Sequence, residues 1–379
     1  MPGTPRAETV GSLLRPDYLM QARKDAADGK LSAEDLQQTE DRAALEAIEL
    51  QEAVGLDIIT DGESRRSGWN PSTSYRPDAP FEGYSPVEGY RITYMKFWRD
   101  QSGAIVPRNL GPGAVITSPL KLRRDIATAE YGFLAQHAST RTKYTFTAPS
   151  YHRHFWHPEH SKGAYPSVDA YLTAVRDFLR REVVDKVVAL GCDYIQLDAP
   201  NYGQAYTDPE VRAAFEAEGH DLDAEVAADA ELDNSLFEGL AGVTRAIHVC
   251  RGNGGGGYWS ATGGYEHFAD KMFPRLTNID TLLLEYDSDR AGDFQPLQHV
   301  RPDTTVVLGL LTTKSGELED DASIKERIAE AAKQVPTANL ALSTQCGFAS
   351  SGQGNPLTVE QQRKKLETVV RVSREVWGS

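Results

Sequence analysis

The residues best suited to chemistry in this sequence are one histidine and two cysteines that follow apolar, strand-like segments. His248 and Cys250 lie two positions apart in the segment 244–250, and alternate residues of a strand point to the same face. The glycine-rich run 251–257 cannot continue a regular strand, so the pair lies at the C-terminal end of its strand. Such a pair indicates a metal site, although a lone His-x-Cys is more often ordinary packing.

Two further candidate ligands, Glu285 and Cys346, lie near the ends of the apolar segments 281–287 and 340–347. With the first pair they supply one imidazole, one carboxylate and two thiolates, a donor set typical of tetrahedral zinc. Two thiolates make the metal electron-rich and a poor source of hydroxide. The set instead favours activation of an incoming thiol as a nucleophile, with Glu285 as the ligand that leaves. The sequence therefore predicts Zn²⁺ as the cofactor and thiol alkylation as the reaction.

At these residues the sequence resembles the cobalamin-independent methionine synthase family, specifically its C-terminal catalytic barrel. The matching features are the four candidate ligands in this order, the opening 10–12, and the segments 61–63 and 195–200. The residues at 248–253 and 308–315 are similar to the short single-barrel branch, which also contains the epoxyalkane:coenzyme M transferases. The resemblance spans nearly the whole chain.

This resemblance implies that zinc activates homocysteine, or coenzyme M in the epoxide branch, for attack on an electrophilic carbon. Gly11, Ser12, Glu63 and Asp198 match positions that hold the amino and carboxylate groups of an amino-acid thiol. Two carboxylates suit an ammonium group and not a sulfonate, so methyl transfer to homocysteine is favoured over epoxide opening by a small thiol. Two alternatives stay open: the two acids could cap helices, and the zinc could be structural in a lyase or a binding protein.

Two positions depart from the methionine synthase pattern. Ala199 replaces an acidic residue, and Lys314 stands where that family has a histidine thought to protonate the folate leaving group. The electrophile, a methyl donor or an epoxide, therefore stays open. We expect Lys314 to act as an acid that assists the leaving oxygen or nitrogen. A lysine exposed at the surface after a strand is the alternative.

The segment 151–157 is rich in histidines and aromatic residues. We expect Tyr151, His152 and Trp156 to form an aromatic, partly polar wall of the substrate pocket. A solvated loop is the alternative. No carboxylate or cysteine accompanies these histidines at strand spacing, which disfavours a second metal site.

Composition limits the class of protein: the 379 residues carry a net charge of -15, 40% hydrophobic residues and three cysteines. No basic patch indicates nucleic-acid binding, and no apolar run approaches the ~20 residues of a membrane span. The segment 1–6 lacks the apolar core of a leader peptide, and metal-binding thiolates suit a reducing compartment, so we expect a cytoplasmic protein. The expected partners are a small thiol and an alkyl donor, and assembly into a homo-oligomer stays open.

These residues need a scaffold that brings the ends of several strands together. Strands are predicted at 8–12, 56–60, 144–149, 193–198, 244–250, 281–286, 304–310 and 339–344, with helical patterns between them. This alternation is typical of an α/β fold, the TIM (β/α)8 barrel, whose catalytic residues follow strand C-termini. We expect a single domain over 1–379. An insertion after strand 2, at about 64–140, should lie over the active-site end or between two copies, with a hairpin at 90–98 that turns at 100–103 and a helix near 121–137.

Overall fold

The computed structural model describes residues 4–76, 79–108 and 111–378. The strands within these ranges are β1 (Ala7–Glu8), β2 (Phe81–Val87), β3 (Gly113–Leu122), β4 (Tyr144–Thr147), β5 (Tyr194–Asp198), β6 (Thr244–Val249), β7 (Thr281–Glu285), β8 (Thr305–Leu311) and β9 (Leu340–Thr344). Residues 1–3, which belong to the segment used to predict location, lie outside the described residues. Positions 77–78 and 109–110 of the expected insertion also lie outside them.

The α-helices pack around the strands. They are α1 (Asp17–Ala27), α2 (Ala33–Val54), α3 (Ile126–His137), α4 (Val168–Leu179), α5 (Asp185–Ala189), α6 (Pro200–Tyr206), α7 (Pro209–Ala217), α8 (Leu222–Ser235), α9 (Ala269–Met272), α10 (Asp321–Ala331) and α11 (Val359–Trp377). At the start of α2 the hydroxyl of Ser32 accepts a hydrogen bond from the Asp35 N–H, and the helix ends at Gly55 with a φ of 86°. No helix in the described ranges is long and apolar enough to cross a membrane.

Seven strands form one curled parallel sheet in the order β1-β9-β8-β7-β6-β5-β4, as in a TIM barrel. The predicted strands near 8, 144, 193, 244, 281, 304 and 339 are confirmed at these positions. β4, β5, β7 and β9 are buried along their whole length. This burial explains why they read as continuous apolar runs, since helices cover one face of a parallel sheet while the other face lines the interior.

The second predicted strand, 56–60, is present only as single bridges. Ile58 bridges to β1, and Ile59 bridges to the segment just before β4, so this stretch contacts both edges of the curled sheet. The carboxylate of Asp57 accepts hydrogen bonds from the N–H groups of Arg6 and Ala7 at 2.6 and 3.0 Å. The Asp57 side chain therefore accepts hydrogen bonds from two backbone N–H groups that a longer neighbouring strand would have bound through its carbonyl oxygens.

Alternation along the strands explains which side chains reach the interior. A small separate cluster of buried residues contains Ile58, Tyr194, Ala246, Leu283, Val307 and Ala341. Their sequence neighbours, such as Ile195 and Ile247, belong instead to the large cluster that packs under the helices. Because the strand period is two, the interior position at Ala246 also places His248 inside, and that at Leu283 also places Glu285 inside.

The segment 64–140 differs in detail from its prediction. Its hairpin is formed by β2 and β3, which pair antiparallel. The predicted hairpin is present only around its turn at 100–103, where Arg99 and Ile105 form an antiparallel bridge. The strand predicted at 90–98 is wrong, since Thr93–Lys96 is a 3-10 helical turn. The hydroxyl of Thr93 donates to the carboxylate of Glu218 at 2.7 Å, and Tyr94 is fully buried. The alternating pattern there reflects burial of one face of this turn and not strand pairing.

Candidate active site

The predicted metal-binding residues His248, Cys250 and Cys346 converge at the C-terminal ends of β6 and β9. Their ligand atoms all lie within 4.8 Å of one another, and the three side chains are buried. Nδ1 of His248 lies 3.1 Å from the carbonyl oxygen of Leu283. Because a carbonyl only accepts, Nδ1 carries a proton, and Nε2 makes no hydrogen bond of ordinary geometry with the described residues. Burial lowers the pKa of His248, but the neighbouring Cys346 thiol more than offsets this effect. A buried nitrogen without a partner is costly, and a metal ion would satisfy it.

The two thiols also favour a cation at this place. The pKa of Cys346 is well above its usual value, because the adjacent Cys250 and burial both disfavour a thiolate there. Two neighbouring thiolates repel each other in a low-dielectric site, and a bound dication would reverse that effect. One imidazole and two thiolates suit Zn²⁺, which takes four ligands in a tetrahedron. These residues therefore fit zinc and leave one position for a further ligand.

Glu285, the fourth predicted ligand, ends β7 and is fully buried, but it does not belong to the group of three. One carboxylate oxygen contacts the guanidinium group of Arg290. The other accepts hydrogen bonds from the Arg251 N–H at 2.9 Å and from Nδ2 of Asn253 at 3.0 Å. Burial raises the pKa of Glu285, but Arg290 and Lys314 more than offset it, so the pKa lies below its usual value. Its role as a metal ligand stays a prediction.

A cavity of about 120 Å³ adjoins the three metal-binding residues. Five predicted substrate-binding residues line it, namely Gly11, Ser12, Glu63, Tyr151 and Asp198. Sequence reasoning missed three large side chains from the segment 64–140 that line the same cavity, Trp69, Met95 and Trp98. No motif marks these residues, and the available signal is the richness of that segment in aromatic residues. The site thus has a polar floor and an apolar wall.

Glu63 is held in a buried and strained position within this cavity. Its φ of 53° lies in the left-handed region, which is unfavourable for a residue other than glycine. Oε1 accepts a hydrogen bond from Thr145 at 2.9 Å, and Oε2 has no partner among the described residues. Burial raises the pKa of Glu63 to about 7, opposed in part by Arg66. A Cβ atom at Gly11 would lie 2.5 Å from Oε1, so glycine is needed there to leave room for the carboxylate.

Asp198 ends β5 and shares the cavity with Glu63. Its carboxylate accepts a hydrogen bond from Nε2 of Gln196 at 2.7 Å, and burial raises its pKa although His248 partly opposes this. Two buried carboxylates therefore lie beside a metal-binding group in one small cavity. Such an arrangement suits a small molecule that carries both an ammonium group and a thiol.

Besides Glu285, three predicted site residues are not among the residues that line this cavity, namely His152, Trp156 and Lys314. Nδ1 of His152 is hydrogen-bonded to the hydroxyl of Tyr84 at 2.6 Å, and burial lowers the pKa of His152 to about 3. Trp156 lines a separate cavity of about 660 Å³. Lys314 forms an ion pair with Asp287. Their predicted contacts with substrate or electrophile therefore stay predictions.

A second group of candidate ligands, His157, Glu159 and His160, lies at the surface. Reasoning from strand spacing missed Glu159, because these residues lie on a turn in which the His160 N–H donates to the carbonyl of His157 at 3.2 Å. The Glu159 N–H donates to Nδ1 of His157 at 3.2 Å. If Nδ1 accepts that bond, Nε2 carries the proton in the neutral ring and is not free to bind a metal. The buried group is the better metal site.

The sequence is similar to two groups of known proteins, one uncharacterized and one of methionine synthases. No family model matches the chain. The chain is 36% identical over 375 residues to the uncharacterized protein YxjH of Bacillus subtilis, a match that covers 98% of this chain and 94% of that protein. A shorter match, 34% identical over 87 residues, relates 23% of this chain to 25% of a methionine synthase of Sulfurisphaera tokodaii.

Two solved structures share the fold over nearly their whole length. A candidate vitamin-B12-independent methionine synthase from Listeria monocytogenes gives a TM-score of 0.71 at 26% identity, with all of both chains covered. A B12-independent methionine synthase from Shewanella sp. W3-18-1, solved in complex with selenomethionine, gives 0.70 at 20% identity over 98% of this chain and 97% of that chain. These likenesses agree with the curled parallel sheet and with the resemblance seen in the sequence.

Proposed function

This chain belongs to the cobalamin-independent methionine synthase family, and from that premise we propose that it is a zinc-dependent methyltransferase with homocysteine as the methyl acceptor. The observation that carries the proposal is the meeting of His248, Cys250 and Cys346 within 4.8 Å. These residues lie beside a cavity that contains the carboxylates of Glu63 and Asp198. A thiol-activating group and a pair of acids are the two elements that a small amino-acid thiol requires.

The residues of the chain divide the work between holding the metal and orienting the substrate. When bound, zinc would lower the pKa of an incoming thiol and keep the thiolate nucleophilic. The Leu283 carbonyl fixes the ring of His248 so that Nε2 faces the two cysteines. The unpartnered Oε2 of Glu63 would accept a hydrogen bond from the substrate ammonium group, and Asp198 would add a second negative charge.

The apolar wall would orient the methyl donor and exclude water. Trp69, Met95 and Trp98 line the side of the cavity contributed by the segment 64–140. Water excluded from the thiolate cannot compete with it for the methyl group, and the lower dielectric strengthens the contacts of both carboxylates.

The proposal includes the closure of the curled sheet into a barrel. The bridges of Ile58 and Ile59 to both sheet edges support a closed eight-stranded barrel in which 56–60 acts as the second strand. The segment 64–140 then is an insertion after that strand, and 1–379 forms one domain. Epoxide opening by a sulfonate thiol is the alternative reaction. It is disfavoured because two buried carboxylates repel a sulfonate.

Zinc analysis combined with a thiol screen tests the proposal. The wild-type protein should contain one zinc per chain and methylate homocysteine. Cys346→Ser should lose most of the metal and the activity, because one of three charged or polar ligands is replaced by a hydroxyl. Cys192→Ser is the matched control, since Cys192 is equally buried but lies outside the metal-binding group.

Full zinc content and full thiol alkylation in Cys346→Ser would contradict the assignment. Turnover of an epoxide with 2-mercaptoethanesulfonate, without methylation of homocysteine by any donor, would favour the alternative reaction. Activity that survives mild removal of zinc would favour a structural role for the metal.

A further inference from the structure

The surroundings of Glu285 suggest a function for the cation beside it. The side chain of Arg290 is 8% exposed, and its guanidinium group stacks 4.7 Å from the centre of the Trp259 ring. It contacts the Glu285 carboxylate and lies 3.9 Å from Asp287, which in turn pairs with Lys314. Two carboxylates and two cations thus form one largely buried network. The buried guanidinium group of Arg251 adjoins it and donates a hydrogen bond to the carbonyl oxygen of Glu285 at 3.1 Å.

Oε2 of Glu285 accepts two hydrogen bonds from residues that closely follow Cys250 in the chain, so the network lies near that cysteine. The Arg251 N–H, at 2.9 Å from Oε2, belongs to the residue that directly follows Cys250. Asn253, at 3.0 Å, is in the same turn and also lines the substrate cavity. Glu285 therefore has a complete set of partners in a position outside the group of three ligands.

The net charge of the proposed metal site explains why Glu285 needs a cationic partner. Neutral His248, two thiolates and a dication sum to zero, so the fourth position adds one negative charge whether Glu285 or a substrate thiolate occupies it. If the thiol takes that position and its proton passes to the solvent, the carboxylate that leaves is still ionised and still buried. A buried carboxylate without a counter-charge is strongly unfavourable. Thiol binding would then be weak unless a cation received the carboxylate.

We propose that Arg290 is a positioning residue that receives the carboxylate of Glu285 when a substrate thiol takes the fourth position beside His248, Cys250 and Cys346. This inference rests on the proposed zinc-dependent function. In this arrangement, Glu285 alternates between two partners, the metal and Arg290. In the structure the Glu285 carboxylate contacts Arg290 and the Arg251 N–H.

Replacing Arg290 by methionine tests the proposal through binding and not only through turnover. Without the cation, Glu285 should stay with the metal, so zinc affinity measured by chelator competition should be equal to or higher than that of wild type. The affinity of the cobalt-substituted protein for L-homocysteine, followed by its thiolate-to-cobalt absorption, should fall on the order of 100-fold, as expected for a buried unpaired charge. Arg290→Lys, which keeps a cation, should restore much of that affinity.

Two further variants separate this role from a general loss of stability. In the double variant Arg290→Met/Glu285→Gln no carboxylate has to be received, so its thiol affinity should match that of Glu285→Gln alone. Arg245→Met is the matched control. Arg245 pairs with Asp280 at 2.7 Å at the N-terminal ends of β6 and β7, whereas Glu285 lies at the C-terminal end of β7. It should leave zinc and thiol affinities near wild type.

Wild-type thiol affinity in Arg290→Met would overturn the proposal, as would a parallel loss of zinc and thiol affinity that the double variant does not restore. If Arg290→Met does not fold, Arg290→Gln supplies a second neutral variant with the same expected loss, and wild-type thiol affinity there would equally overturn it. Wild-type protein that binds no zinc would refute the proposed function itself. Normal zinc binding with unchanged thiol binding in the Arg290 variants would refute only the role of Arg290.

Discussion

Replacing Gly11 by alanine should impair substrate binding while leaving the metal site intact. The added Cβ would lie 2.5 Å from Oε1 of Glu63, whereas a carbon–oxygen contact needs about 3.3 Å. The carboxylate would therefore have to move by roughly 0.8 Å, in a site where a misplacement of about 1 Å costs on the order of 100-fold in rate. Glu63 cannot adjust freely, because its backbone has a φ of 53° and Thr145 holds the same oxygen.

The assay is the steady-state rate of homocysteine methylation together with zinc content. We expect kcat/KM to fall roughly 100-fold, or about 2.7 kcal/mol, with zinc content unchanged. Gly132→Ala is the matched control, because its added Cβ would meet only an ordinary contact, 3.8 Å from Leu190. Wild-type kcat/KM in Gly11→Ala would show that the position of Glu63 does not matter for the substrate.

Two further predictions concern Glu63 and Lys314. Burial raises the pKa of Glu63 from 4.5 to about 7, so the protonated form stabilises the metal-free fold below about pH 4.5 and this contribution is lost as the pH rises through 7. Glu63→Gln should therefore flatten the decline of the urea-unfolding free energy over this range, and an equal decline in both proteins would disprove the assignment. Lys314→Met should slow methyl transfer in single-turnover kinetics while zinc content stays near wild type. An unchanged rate would refute the role of Lys314 as an acid and would assign it only a structural ion pair with Asp287.

The meeting of the candidate ligands His248, Cys250 and Cys346 could be predicted from the sequence because its signals are local. Each ligand follows a short apolar run and stands just before a segment that cannot continue a strand, so strand period and chain direction place it without knowledge of the fold. The resemblance to the methionine synthase family implied Gly11, Ser12, Glu63 and Asp198, and all four line one cavity, while their contact with a substrate stays a prediction. Gly11 and Ser12 follow β1, Asp198 ends β5, and Glu63 follows the bridged segment 56–60, so all four lie at the edge where the ends of the parallel strands meet.

Other parts of the site depend on contacts between distant segments, which local patterns do not encode. Residues 90–98 alternate like a strand, but the Thr93 hydroxyl pairs with Glu218, 125 positions away, and the turn is helical. The apolar wall of Trp69, Met95 and Trp98 is set by how the segment 64–140 packs. The ion pair of Arg290 with Glu285 was missed although only five positions separate them, because the loop between them follows no regular period.

The pairing of β1 with β9 has a consequence for the order in which the protein can be made. Arg6, just before β1, donates a hydrogen bond to the carbonyl oxygen of Leu340, 334 positions later. A ribosome needs roughly 20 to 70 s to synthesise such a length of chain. Gly11 and Ser12 follow β1 directly, so the substrate cavity must wait for the last strand to emerge. Until then the first strand has no partner at that edge, and a chaperone that shields it would raise the yield of active enzyme.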